Sequence, residues 1–136
     1  MREINPKETS RAQQFEIWKK APNPMLVFVK KLDVTRLIKI SRKKHLKFNM
    51  LMDYCIGKAA INQKEFYLLP VGDKLMQFDK IAVNTMVKNH IGGVSSCDIE
   101  FNADFNMYSH DYLKYTSQVA NSCKDKDLSE ECMVIG

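Results

Sequence analysis

Histidine and cysteine side chains are the first candidates for catalysis or metal binding in this chain of 136 residues. The three histidines, His45, His90 and His110, lie far apart, and none stands at ligand spacing from a cysteine. The four cysteines form no CxxC pair, so the sequence shows no metal signature and predicts reduced thiols in a cytosolic protein. His110 next to Asp111 has the composition of an orienting pair, but a surface helix produces such neighbours by chance.

Motifs that carry catalysis by themselves are also missing from the sequence. There is no GxSxG elbow, no P-loop and no GxGxxG, and Gly92-Gly93 alone does not define a phosphate site. Residue types and spacing therefore identify no catalytic centre.

Charge is distributed unevenly along the chain. Residues 1–50 hold 13 Lys/Arg and 4 Asp/Glu, a net charge of +9, whereas residues 51–136 hold 8 and 12, a net charge of −4. A solvated helix face accounts for such an asymmetry, and a patch for nucleic acid or an anionic cofactor is the alternative. The most basic stretch, residues 42–47, has no interleaved aromatic side chains for base stacking, which argues against direct nucleic-acid binding.

Length and composition fit one globular domain. At 15.8 kDa, with 45% hydrophobic and 27% charged residues, the chain has enough apolar material for a single core. No run of 18 apolar residues and no signal-peptide pattern occurs, so a soluble, cytoplasmic protein is expected.

Four helices are predicted from periodicity and capping residues. The first follows the N-cap candidates Thr9-Ser10 and stops before Pro22, and the second, strongly basic on one side, is capped by Asp33. The third starts at Asn49, is apolar around most of its circumference and is expected to be the core helix. The last begins at Asp104 and carries a stripe of aromatic side chains.

Strands are predicted from apolar runs and period-two alternation. Residues 25–29 read as a buried strand, and residues 66–69 and 74–78 flank a turn at Gly72-Asp73. Alternation over residues 81–87 continues the sheet, and residues 94–101 resume it. Residues 132–136 look like a strand that has only begun, which predicts a sheet that continues beyond Gly136.

Several stretches, taken in their order and spacing, resemble the N-terminal half of the chloramphenicol acetyltransferase family, the CatA-like O-acetyltransferases. The matching stretches are residues 11–18, 32–37, 46–50, 72–80 with Thr85, 104–113 and 133–136. They are similar to the family's first helix, its "IDITxL", "YKFYP" and "DGxLxxWDKLxPxxT" segments, the helix after the second hairpin and the start of "NISALPW". The matching stretches are distributed over nearly the whole chain.

The resemblance implies an α/β fold, a two-layer sandwich with a mixed sheet, of which residues 1–136 form the N-terminal part of a single domain. It also implies a homotrimer with active sites between subunits, acetyl-CoA as co-substrate, a small-molecule hydroxyl acceptor and no metal. The family's catalytic motif, HHxxxDG, does not occur in this sequence. This chain is therefore expected to contain no catalytic residue and to be inactive alone.

Residues on the acceptor side of the site are implied by the same resemblance. Trp18, Leu26 and Val94 match positions that line the acceptor pocket, and Arg11 matches an arginine whose partner is the aspartate of the catalytic motif. Trp18 stands where a tyrosine is usual, and Leu26 and Val94 stand where phenylalanines are usual. The pocket is therefore expected to differ from that of the family, and the resemblance does not identify the acceptor substrate.

Two other functions are compatible with the sequence. The chain is alternatively part of a noncatalytic binding relative of the same fold, which the presence or absence of HHxxxDG in a longer protein would decide. A basic nucleic-acid-binding module is the other alternative, and its affinity would fall steeply with salt.

Overall fold

The computed structural model describes residues 1–23, 25 and 27–136. Within these residues, four α-helices and six strands follow each other. Their bounds are β1 Arg2–Ile4, α1 Ala12–Lys20, α2 Thr35–Lys44, α3 Phe48–Ala60, β2 Leu68–Val71, β3 Lys74–Gln77, β4 Ile81–Lys88, β5 Val94–Glu100, α4 Phe105–Ser122 and β6 Met133–Ile135. This mixed α/β architecture confirms the predicted fold class.

The six strands form two separate three-stranded sheets. The first has the order β1-β3-β2 and is antiparallel throughout. Its hairpin turns at Gly72, which has a φ of +57°, the left-handed conformation that favours glycine. Strand β1, which pairs Arg2 with Gln77, was not predicted from the sequence because three residues show no alternation.

The second sheet has the order β5-β4-β6 and is mixed, as predicted. Strands β4 and β5 pair antiparallel from Ala82 opposite Glu100 to Lys88 opposite Val94. Strand β6 lies parallel to β4, with Val134 opposite Ala82. The apolar run near the end of the chain is therefore a paired strand.

Helices α3 and α4 cover one face of the second sheet, α3 against β4 and α4 against β5. The aromatic stripe predicted for the last helix does enter the core, where Tyr108 and Tyr112 are buried. Tyr54 of α3 meets this stripe, with its ring centroid 5.7 Å from that of Tyr108. These contacts confirm α3 as the core helix, in a two-layer arrangement.

The predicted helix starts are correct to within two residues. Asp104 caps α4 as predicted, because its side chain accepts hydrogen bonds from two backbone amides of the first turn. The Asp33 side chain accepts a hydrogen bond of 2.9 Å from the backbone amide of Thr35 at the start of α2, although the N-cap position itself is Val34. The N-cap of α1 is Arg11 rather than Thr9 or Ser10, and the hydroxyl of Thr9 accepts the Arg11 amide at 3.1 Å.

The described residues of the predicted buried strand, 25 and 27–29, belong to no strand. The side chains of Met25, Val27, Phe28 and Val29 are 76–92% exposed. The apolar run favours a strand by propensity, but a strand also needs a partner for its backbone, and neither sheet extends to these residues. Leu26, one of the predicted acceptor-side residues, lies outside the described residues.

The strand predicted over residues 66–69 starts later than expected. Lys64–Tyr67 form a 3-10 turn, and β2 begins at Leu68. The turn is closed by the amide of Phe66, which donates to the carbonyl of Gln63 at 3.1 Å. Aromatic residues here favoured a strand by propensity, and local backbone hydrogen bonding overrode it.

No helix in the described part of the chain combines the length and the apolar character that crossing a membrane requires.

Candidate acceptor-side site

Arg11 and Trp18 line the same cavity, of about 260 Å³, between α1 and the first sheet. Leu68 and Pro70 of β2 and Leu75 of β3 form its opposite wall. Helix α1 thus places side chains from its first and its second turn over one apolar sheet surface. The structure thus brings Trp18, a predicted acceptor-pocket residue, together with Arg11, a predicted structural residue of the active site.

Phe15 fixes the position of α1 on the sheet. Its side chain is buried, one helical turn from Trp18, and the two rings stack with centroids 6.4 Å apart and an interplanar angle of 13°. Lys19 lies over the Phe15 ring at 5.6 Å and reaches Asp73 of the β2–β3 turn at 3.4 Å. The aromatic contact contributes more than the ion pair to the stability of this packing, because an exposed ion pair stabilises a protein only slightly.

The polar side chains that line the cavity are those of Arg11, Gln14 and Glu65. The pKa of the Glu65 carboxyl lies below its usual value because a backbone amide and the hydroxyl of Ser10 donate to it, and the charge of Arg11 adds to the effect. The Ser10 hydroxyl is 3.1 Å from Glu65 Oε1. A carboxylate and a guanidinium therefore both line a cavity that is otherwise mostly apolar.

Arg11 is exposed, and within the described chain it has no carboxylate within 4 Å. The resemblance gives the matching family arginine an aspartate partner from HHxxxDG, a motif that this sequence does not contain. The Arg11 guanidinium can therefore form an ion pair with a carboxylate from outside the described chain. Its pairing with the aspartate of the catalytic motif stays a prediction.

Val94 does not reach this cavity. It is the first residue of β5, pairs with Lys88 and is 62% exposed at the far end of the second sheet. Of the predicted acceptor-pocket residues that the structure describes, Trp18 therefore lies at the cavity and Val94 lies elsewhere.

A buried polar cluster was missed by the sequence reasoning. Asp53 of α3, Thr85 of β4, and Tyr108 and Tyr112 of α4 are all at most 9% exposed. Burial raises the pKa of Asp53 to about 6, against a smaller opposing effect of Thr85. The available signal was Asp53 itself, the single acidic residue in the apolar stretch 50–61.

The chemistry available at the Arg11–Trp18 cavity is binding rather than proton transfer. Its lining consists of apolar and aromatic side chains, an exposed cation, an amide and the low-pKa carboxyl of Glu65. No histidine lines it, and no group of three potential metal-ligating side chains occurs among the described residues. The cavity has the composition of a substrate wall that lacks a general base.

The model of the family described as chloramphenicol acetyltransferase matches residues 2–133, and this chain belongs to that family. A comparison with curated protein sequences finds no match.

A solved chloramphenicol acetyltransferase structure has the same fold. It superposes with a TM-score of 0.74 at 16% sequence identity, over 83% of this chain and 54% of its own. This chain therefore spans about half the length of that structure.

Proposed function

We infer that this chain forms the acceptor-side wall of a CoA-dependent O-acetyltransferase active site. The observation that carries the proposal is that Arg11 and Trp18 line one cavity. The family resemblance assigns Trp18 to the acceptor pocket and Arg11 to a structural role at the active site. Family membership over residues 2–133 supports the reaction class. Trp18 contributes an apolar surface for the acceptor, and Arg11 contributes a charge at the rim.

The proton acceptor for this reaction comes from polypeptide other than these 136 residues. In the proposed step, the acceptor oxygen attacks the thioester carbonyl of acetyl-CoA, an imidazole takes the hydroxyl proton, and the CoA thiolate leaves. Acetyl-CoA is thus a co-substrate, and the step requires no metal. We expect this chain alone to be inactive, because no histidine lines the cavity and the HHxxxDG motif does not occur in this sequence.

The size of the cavity limits the acceptor. Pockets that hold drug-sized ligands usually have volumes of about 300–1,000 Å³, and the cavity beside Trp18 has about 260 Å³. This chain therefore encloses either a small alcohol or only part of a larger one. Benzyl alcohol, a hydroxyl on one aromatic ring, is a suitable probe.

The remaining parts of the site are proposed to come from a homotrimer with active sites between subunits. The exposed apolar side chains of Met25, Val27, Phe28 and Val29 support an assembly, because exposed apolar surface favours association. A cytoplasmic location, where acetyl-CoA is available, agrees with this proposal.

The test combines binding with turnover. Trp18 is the single tryptophan, so its fluorescence reports on the cavity directly. Benzyl alcohol should change this fluorescence with a saturable dependence on concentration, and no CoA thiol should be released when acetyl-CoA is added. Turnover by the chain alone, or a fluorescence response that does not saturate, would contradict the proposal.

A noncatalytic binding relative is the second candidate, and the altered residues favour it. Trp18 and Val94 both differ from the aromatic residues usual in the family. A longer protein that lacks HHxxxDG and releases no CoA thiol with any hydroxyl acceptor would support this candidate. The nucleic-acid alternative rests only on the exposed basic side of α2.

A further inference from the structure

Two buried side-chain atoms have no hydrogen-bond partner among the described residues, Oδ2 of Asp53 and the hydroxyl oxygen of Tyr108. Asp53 is 9% exposed and Tyr108 is fully buried. Such atoms give up their hydrogen bonds to bulk water on folding, which is costly unless another partner replaces that water. Neither residue lines the Arg11–Trp18 cavity, so the proposed acetyl-transfer site does not explain them.

The packing of the aromatic rings fixes where the Tyr108 hydroxyl lies. The ring of Tyr108 is surrounded by those of Tyr54, Phe101 and Tyr112, whose centroids are 5.7, 5.5 and 6.3 Å from its own. In a close-packed core the ring cannot swing its hydroxyl out to solvent without displacing these neighbours. The hydroxyl therefore needs a partner inside the core.

The other polar side chains of the core lie next to this hydroxyl. Burial raises the pKa of Tyr108 and the charge of Asp53 adds to the rise, so the two groups are neighbours. Burial also raises the pKa of Asp53 and of Tyr112, and hydrogen bonding by the Thr85 hydroxyl opposes the rise in each. One carboxyl group and three hydroxyl groups, from α3, β4 and α4, thus converge between the helices and the sheet.

The charges around this cluster define the chemistry of a ligand. The carboxylate of Asp53 repels an anion. Tyr112 also lines a cavity of about 640 Å³ that Lys47 and Lys88 line as well, and two ammonium groups beside the cluster disfavour a cation. A carboxylate oxygen accepts hydrogen bonds, and a tyrosine hydroxyl both donates and accepts them. A small neutral molecule that does both fits these groups.

We propose that Asp53 and Tyr108 bind one internal water molecule, which joins α3 to α4. The water donates one hydrogen bond to Oδ2 of Asp53 and exchanges another with the hydroxyl of Tyr108. The hydroxyl of Thr85 is its third partner, and internal waters make about three hydrogen bonds. The cavity beside Tyr112 connects this site to solvent.

The experiment counts the long-lived water molecules of the whole chain by magnetic relaxation dispersion of ¹⁷O-labelled water. The double variant Asp53→Leu, Tyr108→Phe replaces both polar groups with apolar ones, and its count should be lower by one than that of the parent chain. An equal count would overturn the proposal.

Tyr54→Phe is the matched control for the water count. The hydroxyl of Tyr54 belongs to the same aromatic cluster but donates directly to the carbonyl of Ala103 at 2.7 Å. Its removal should therefore leave the number of long-lived waters unchanged. A decrease in this variant equal to that in the double variant would show that any loss of a hydroxyl has this effect, and would contradict the proposal.

The single variant Tyr108→Phe tests the proposal even if the double variant does not fold, because it removes one atom and keeps the ring. Removing an unpartnered buried hydroxyl stabilises a protein, whereas removing a hydroxyl bonded to water destabilises it. We therefore expect the equilibrium constant for unfolding, measured by urea denaturation, to rise about five- to tenfold. A constant that is unchanged or lower would contradict the proposal.

Discussion

The ring of Phe101 lies directly against the backbone of Gly57 on α3. A Cβ atom added at Gly57 would overlap three atoms of this ring, including Cγ. The ring is held from its other sides by Tyr54 and Tyr108, whose centroids are each 5.5 Å from its own. Glycine at this position therefore sets how closely α3 approaches the sheet.

The first prediction concerns Gly57→Ala. Although alanine favours helix over glycine, the overlap with Phe101 should lower the free energy of unfolding by about 1–3 kcal/mol. Urea denaturation measures this change. Lys58→Ala, at the exposed neighbouring position, should change stability by less than about 0.5 kcal/mol.

The cause of the Gly57→Ala effect is tested by a second substitution. In a Phe101→Leu background the ring is gone, and Gly57→Ala should lose most of its cost. The same cost in both backgrounds would show that the contact with Phe101 is not responsible.

The second prediction concerns Asp53. Its pKa is about 6 in the folded protein and 3.8 in the reference state, so the folded state binds the proton more tightly. This contribution to stability is complete below about pH 3.8 and is lost as the pH rises through 6. Between pH 5 and pH 7.5 the free energy of unfolding should fall by about 1 kcal/mol from this group.

Asp53→Asn should remove that part of the pH dependence, since the amide does not titrate. Asp79→Asn, at an exposed position, should retain it. Thermal denaturation at a series of pH values compares the variants. Identical pH profiles for Asp53→Asn and the parent chain would refute the assignment.

The third prediction concerns Trp18 as the wall of the acceptor cavity. Trp18→Ala should weaken the binding of benzyl alcohol about tenfold, because an aromatic contact worth about 1 kcal/mol is lost together with the apolar surface of the ring. Trp18→Tyr, which restores the residue usual in the family, should bind nearly as well as the parent chain. Ligand-observed NMR measures both, since the variants lack tryptophan fluorescence.

Val94→Ala is the matched control for the Trp18 variants, as Val94 lies outside the cavity. Benzyl alcohol should bind this variant and the parent chain equally. Weaker binding in Val94→Ala than in Trp18→Ala would move the acceptor site to the second sheet.

The fourth prediction concerns self-association through residues 25–29. The chain should form oligomers with rising concentration, because Phe28 and Val29 are 85% and 92% exposed. Phe28→Glu combined with Val29→Lys should shift it to monomer in light scattering. Ile91→Lys, which removes an exposed apolar side chain elsewhere, should not. A parent chain that is monomeric at all concentrations would contradict this prediction.

The sequence predicted features that depend on local patterns. The start of α4 at Asp104 and the turn at Gly72 follow from capping and from backbone conformation, which neighbouring residues determine. The predicted strand at residues 25–29 failed because pairing depends on a partner that local sequence does not specify.

The same distinction between features set by local sequence and features set by distant packing applies to the candidate site. Arg11 is the N-cap of the helix that carries Trp18, so local structure sets their common position, whereas the position of Val94 depends on the packing of two sheets. Asp53 was missed because periodicity marks a buried face without showing which polar residue it contains.

The central proposal is that this chain supplies the acceptor wall, whereas other polypeptide supplies the proton acceptor. Release of CoA thiol in the presence of acetyl-CoA and a hydroxyl acceptor tests this proposal most directly. The assay compares this chain alone with the chain mixed with the HHxxxDG-bearing half of a chloramphenicol acetyltransferase. We expect no release by the chain alone, and release in the mixture that Trp18→Ala diminishes. Release by the 136-residue chain alone would contradict the account, because the proton acceptor would then lie within it.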